Sequence, residues 1–162
     1  MNFDSFRNTL SPYSVKSIVF VGLGNPMRAD DGAGLVLLQK LKQSRSFQSA
    51  RFIEAGVNPE NYLQTILDFN PQAVVFIDAA RCGRPPGAIE WLTGESLDRI
   101  RISTHAFSMT LVETYLSSHK KLDFHYLGIQ PESTAPGTRL AASVQEGIDG
   151  FIPKSETPDA SF

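Results

Sequence analysis

The sequence predicts an α/β protein, a three-layer α/β/α sandwich with a mostly parallel sheet of about five strands. Two patterns carry this expectation. Apolar runs without alternation, Ile18-Val19-Phe20-Val21 and Ala73-Val74-Val75-Phe76-Ile77, read as strands buried on both faces. Between such runs lie stretches with apolar residues at helical spacing, so strands and helices alternate along the chain.

The elements follow in order. Residues 1–15 read as a loose leader, because no apolar run precedes Ile18. After the first strand comes the glycine-rich turn Gly22-Leu23-Gly24-Asn25, then Asp30-Asp31-Gly32-Ala33-Gly34, and a helix in which Leu35, Leu38 and Leu41 repeat at helical spacing. A second strand is expected at Arg51-Phe52-Ile53-Glu54. Asn58-Pro59 then reads as a cap followed by proline at the first helical position, opening a helix through Leu63, Ile66 and Leu67 that stops before Asn70-Pro71. The third strand ends on Asp78, which repeats the arrangement at Asp31. The linker through Pro85-Pro86-Gly87 is too short for a helical crossover, so Ala88 to Leu92 is expected to form an antiparallel strand. Ile102-Ser103-Thr104-His105 leads into a helix with Leu111, Val112, Tyr115 and Leu116. Phe124 to Ile129 forms the last strand, and Leu140 to Ile148 the last helix. The tail from 153 to 162 is polar and broken by proline, and is expected to fray, which leaves one folded domain over 16–152.

Composition excludes several classes. The chain has 162 residues, and 15 basic against 17 acidic side chains give a formal charge of −2, which does not suit a nucleic-acid binder. One cysteine excludes an internal disulfide and a multi-cysteine zinc site. No apolar run approaches the roughly 20 residues needed to cross a bilayer, and the N-terminus lacks the apolar core of a signal peptide, so residence in the cytoplasm is expected.

The chemistry concentrates at strand ends. In open α/β sheets ligands sit beyond the carboxyl ends of the strands, which is where Asn25, Asp30, Asp31 and Asp78 fall. Carboxylates there repel phosphate, and Met27 stands where a dinucleotide fingerprint would need its third glycine. Taken singly, each residue has a structural explanation: Asp30 as a helix cap, Asp31 as a complement to the helix dipole, Asp78 as a turn cap, and His105 as a helix-start histidine. Taken together, Asp31, Asp78 and His105 make a set of two carboxylates and one imidazole suited to nickel, zinc or manganese, with open positions for substrate or water. Cys82 has no activating pattern around it, His125 is explained by packing, His119 by a solvated helix end, and Arg81 and Arg84 by solvation.

These residues also resemble a known family. Gly24-Asn25, Asp30-Asp31-Gly32-Ala33-Gly34, Phe76-Ile77-Asp78-Ala79, Ser103-Thr104-His105 and Leu127-Gly128-Ile129-Gln130-Pro131-Glu132 match, in order and spacing, the nickel-iron hydrogenase maturation endopeptidases. The resemblance implies a phosphorylase/hydrolase-like fold and a cytoplasmic, monomeric endopeptidase. Its substrate would be the precursor of a hydrogenase large subunit, from which it removes a C-terminal extension. It further implies that Asp31, Asp78 and His105 contact nickel carried by that precursor, and that no organic cofactor, nucleic acid or membrane is involved. Many members carry an Asp-Gly-Gly-like patch where this chain has Glu54-Ala55-Gly56. The opening Val21-Gly22-Leu23-Gly24-Asn25-Pro26 is similar to peptidyl-tRNA hydrolases as well, but the histidine that family carries soon afterwards is missing here. A non-catalytic chaperone binding metal or peptide would keep the same three residues without turnover.

Overall fold

Five strands form one sheet in the order β2-β1-β3-β5-β4: β1 (Ile18–Leu23), β2 (Arg51–Gly56), β3 (Ala73–Ala79), β4 (Ile89–Trp91) and β5 (Asp123–Ile129). The computed structural model describes residues 1–102 and 109–158. β1 pairs in parallel with both β2 and β3, β3 pairs in parallel with β5, and β4 closes the far edge antiparallel to β5. Because β1 lies between β2 and β3, successive crossovers leave it in opposite directions, which opens a crevice at its carboxyl end.

The strand period of two divides the core. Ile18 and Phe20 of β1, with Val75 and Ile77 of β3, face three helices: α1 (Phe3–Leu10), α2 (Ala33–Gln43) and α6 (Ala142–Phe151). Val19 and Val21, with Val74 and Phe76, face α3 (Leu63–Asp68), α4 (Gly94–Ile102) and α5 (Met109–His119). All six residues of β1 are buried, as expected of a strand covered on both sides.

Four local expectations are corrected. Residues 3–10 do not fray: Asn2 caps α1 by accepting from the Ser5 N–H at 2.9 Å, and Phe3, Phe6 and Leu10 are buried. The three apolar residues at helical spacing provide an amphipathic face long enough to dock, and Phe6 stacks on Trp91 and meets Phe47 and Phe151 edge-on. The start of the tail is also tied down. The Ser46 N–H and Oγ both donate to the Glu156 carboxylate at 2.9 Å, and a 3₁₀ turn spans Lys154–Glu156. After Asn58, a 3₁₀ turn over Pro59–Tyr62 precedes α3, and the Asn58 side chain makes no cap bond. Helix α4, which the sequence did not announce, fills the stretch between β4 and the segment leading to α5.

Candidate active site

The site is built on the turn that leaves β1. Gly24 has φ +122°, and a Cβ placed there would lie 1.9 Å from the Asp31 carbonyl oxygen and 3.7 Å from Asp78 Oδ1. Only glycine fits, and the same point shows that the Asp31 backbone and the Asp78 carboxylate meet over Gly24. At Gly34 a Cβ would strike the carbonyls of Ile77 and Leu23 at 2.4 and 2.6 Å, so the first turn of α2 packs straight onto the ends of β1 and β3.

Within the turn, Asn25 Oδ1 accepts from the Met27 N–H at 2.9 Å, and the Asn25 N–H donates to Asp31 Oδ2 at 2.8 Å. This ties the half-buried Asp31 carboxylate to the turn at the carboxyl end of β1. Asp78, 5% exposed, ends β3 on the same face as Val74 and Phe76 and pairs in register with Gly128 of β5. Asp31 and Asp78 therefore come together at the carboxyl edge of the two central strands, as the strand-end pattern predicts. His105 lies outside the described residues, between Ile102 and Met109. Among the described residues no group of three His, Cys, Asp or Glu side chains is placed to hold a metal ion. Asp31 and Asp78 are the two predicted ligands that the described structure brings to one place.

Asp30 does something else. Its carboxylate is fully buried and accepts three backbone N–H groups: Glu132 and Ser133 on Oδ2 at 2.9 Å, and Ala141 on Oδ1 at 2.7 Å. It caps neither α2 nor the 3₁₀ turn over Ala29–Gly32. In that turn successive side chains diverge by about 120°, so Asp30 turns inward while Asp31 faces the crevice. Sequence reasoning placed Asp31 and not Asp30 with Asp78 and His105, but read Asp30 as a helix cap and missed its three backbone donors. It also passed over Gln130, a buried amide whose Oε1 accepts from the Cys82 N–H at 2.9 Å and the Arg84 N–H at 3.3 Å, fixing the loop that follows Asp78.

The weaker candidates fall away as expected. Burial, and then the nearby Glu90, push the Cys82 thiol up from its ordinary value, opposite to what a nucleophile needs. His125 packs between Tyr13 and Trp91, His119 is exposed at the end of α5, and Arg84 pairs with Glu90 at 3.1 Å. In the departing patch, Glu54 is exposed, while Gly56, at φ +61°, keeps its place beside the turn: its carbonyl accepts from the Gly24 N–H at 3.0 Å.

The family model described as "Hydrogenase maturation protease" matches residues 36–155, well over half of the chain. The chain belongs to the hydrogenase maturation protease family. The matched span takes in Asp78 and His105, while Asp31 and the turn around it precede it. The Hydrogenase 3 maturation protease of Escherichia coli K12 is 30% identical over 142 residues, covering 85% of this chain and 88% of the relative. The crystal structure of a [NiFe] hydrogenase maturation protease HycI from Thermococcus kodakarensis KOD1 superposes with a TM-score of 0.75 at 26% identity, covering 90% of this chain and 92% of that one. The solution structure of the endopeptidase HycI from Escherichia coli gives 0.66 at 25%, covering 82% and 85%. With named peptidases on both sides, the chain is a peptide-bond hydrolase of this family, in a three-layer α/β fold.

Proposed function

We propose that this protein removes the C-terminal extension of a nickel-loaded [NiFe] hydrogenase large-subunit precursor, and that Asp31, Asp78 and His105 recognise the nickel the precursor carries. One observation supports the reading above the rest: in a chain of this family, two aspartates far apart in sequence, Asp31 through its backbone and Asp78 through its carboxylate, meet over Gly24 at the carboxyl edge of the central strands. The metal belongs to the substrate. Its vacant coordination positions would take the two carboxylates and the imidazole, and this fixes the scissile peptide beside them. Asp31 or Asp78 then serves as the general base toward water, which attacks the peptide carbonyl. A precursor without nickel lacks the anchor and stays uncut. Action in the cytoplasm as a monomer, without an organic cofactor of its own, completes the proposal.

The family match favours this chemistry over the peptidyl-tRNA hydrolase resemblance of the opening turn, and the formal charge of −2 offers tRNA little attraction. The test incubates the protein with nickel-loaded and nickel-free precursor and weighs the products by mass spectrometry. Shortening of the loaded form alone is expected. A loaded precursor that stays intact would overturn the proposal and leave a binding role, and equal cleavage of both forms would remove nickel recognition.

A further inference from the structure

We propose that Asp30 is a positioning residue for the reaction: its buried carboxylate clamps the loop between β5 and α6 onto the β1 turn and thereby fixes the direction in which Asp31 points. The clamp has several strands of support. Besides the three N–H groups on the Asp30 carboxylate, the Asp30 N–H donates to the Ser133 carbonyl at 3.0 Å and the Ala29 N–H to the Gly137 carbonyl at 2.8 Å. The Gly137 N–H donates back to the Met27 carbonyl at 2.9 Å, and Arg28 Nε to the Thr134 carbonyl at 3.2 Å. Ala29 is held at φ +47°, a left-handed conformation that a residue with a Cβ rarely adopts. The clamp supplies the bonds that hold it there. Asp31 follows directly, and its carboxylate is tied by a single hydrogen bond, from the Asn25 N–H, to the residue next to Gly24. A loosened Asp30 frees the 3₁₀ turn to rotate and carries Asp31 with it.

Both carboxylate oxygens are needed as acceptors. Asparagine at this position would set an amide N–H against a backbone N–H on one side, leaving a buried donor unmatched. A displacement of about 1 Å at a reacting group lowers turnover by on the order of 100-fold.

The proposal rests on the peptidase reading above, and its test separates the two. Asp30→Asn and Ala141→Pro are compared with the parent protein on nickel-loaded precursor. Proline matches the Ala141 φ of −59° and replaces the N–H that binds Oδ1 with a ring carbon that pushes this oxygen away, while residue 30 keeps its carboxylate. Turnover is expected to fall by about 100-fold in Asp30→Asn and about 10-fold in Ala141→Pro, with KM for the precursor within threefold, since its other contacts are untouched. Amide exchange should accelerate at Asn25, Glu132 and Ser133 in both. Turnover within threefold of the parent in folded Ala141→Pro, together with unchanged exchange at Asn25, would overturn the proposal. If Asp30→Asn is not recovered folded, Ala141→Pro decides alone. If the parent protein itself fails to cleave, the peptidase reading fails, and exchange at Asn25 still decides the clamp.

Discussion

The two ends of the sheet each gather carboxylate and polar side chains, and only one of them carries the candidate site. At the amino end of the strands, Tyr13 OH donates to Asp123 Oδ2 at 2.8 Å and lies 3.1 Å from His125 Nε2, with Trp91 against the far side of the imidazole. At the carboxyl end, Asp31 and Asp78 converge on Gly24. The amino-end cluster spends its polar atoms on one another and anchors the segment that follows α1. At the carboxyl end the loops are satisfied by a dedicated residue, Asp30, and this leaves Asp31 at the crevice mouth. A cluster of titratable groups becomes a site when a neighbouring residue takes over the structural bonding and when the strands end there.

The sharpest way to break this comparison is at the carboxyl end. Asp31→Ala, Asp78→Ala and His105→Ala should each lower cleavage of the loaded precursor by about 1,000-fold. The melting temperature of Asp31→Ala should fall by only a few degrees, since it loses one N–H···carboxylate bond worth about 1–2 kcal/mol. Precursor processing followed by mass spectrometry, with calorimetry on the same samples, checks both; unfolding without a specific loss of turnover would return Asp31 to a structural role.

The amino end should respond in the opposite way, through stability. Phe6→Ala empties a fully buried position against Trp91 and Phe47 and should cost about 3–5 kcal/mol in denaturant unfolding, with turnover of the folded fraction unchanged. Tyr13→Phe removes the bond to Asp123 and should cost about 1 kcal/mol. The tyrosine also sharpens the pH behaviour. Burial, and then Asp123, push its hydroxyl up to about 12. A folded value above the unfolded one stabilises fully below the ordinary value of 10 and is lost as pH rises from there toward 12. Parent stability should drop across that alkaline window, and the drop should be smaller in Tyr13→Phe.

The smallest effect concerns His125, whose imidazole burial holds below its ordinary value of 6.5 despite the opposing pull of Asp123. Between the folded and unfolded values the unfolded chain binds more protons, so the contribution is complete above the unfolded value and lost as pH falls through the folded one. Urea titrations below pH 6.5 should show a shallower decline in His125→Gln than in the parent, while the pH dependence of cleavage keeps its shape. A changed cleavage profile would join the two ends of the sheet and defeat the distinction between them.

Much of this molecule was readable from the chain. The runs at Ile18 and Ala73 became the two central strands, and the short linker before Ala88 correctly implied an antiparallel partner, because backbone geometry leaves no other return. Asp78 was found because it ends such a run. The docking of α1 was not found: Phe3, Phe6 and Leu10 are spaced by three and four, but with Asp4, Ser5, Arg7 and Asn8 between them the segment resembles a polar leader until its partners are known. The role of Asp30 was not found either: it read as a helix cap, because its three donors lie far along the chain.

What the chain determined by itself was the alternation of strands and helices and the appearance of carboxylates at strand ends. Both follow from local cost: β-branched apolar runs are unfavourable in water, and glycine alone accepts the turn at Gly24. The sheet order, the burial of α1 and the separate duties of two adjacent aspartates belong to the tertiary structure. The groups that distinguish Asp30 from Asp31 are backbone N–H donors more than 100 residues further along the chain, and only folding brings them within hydrogen-bond reach.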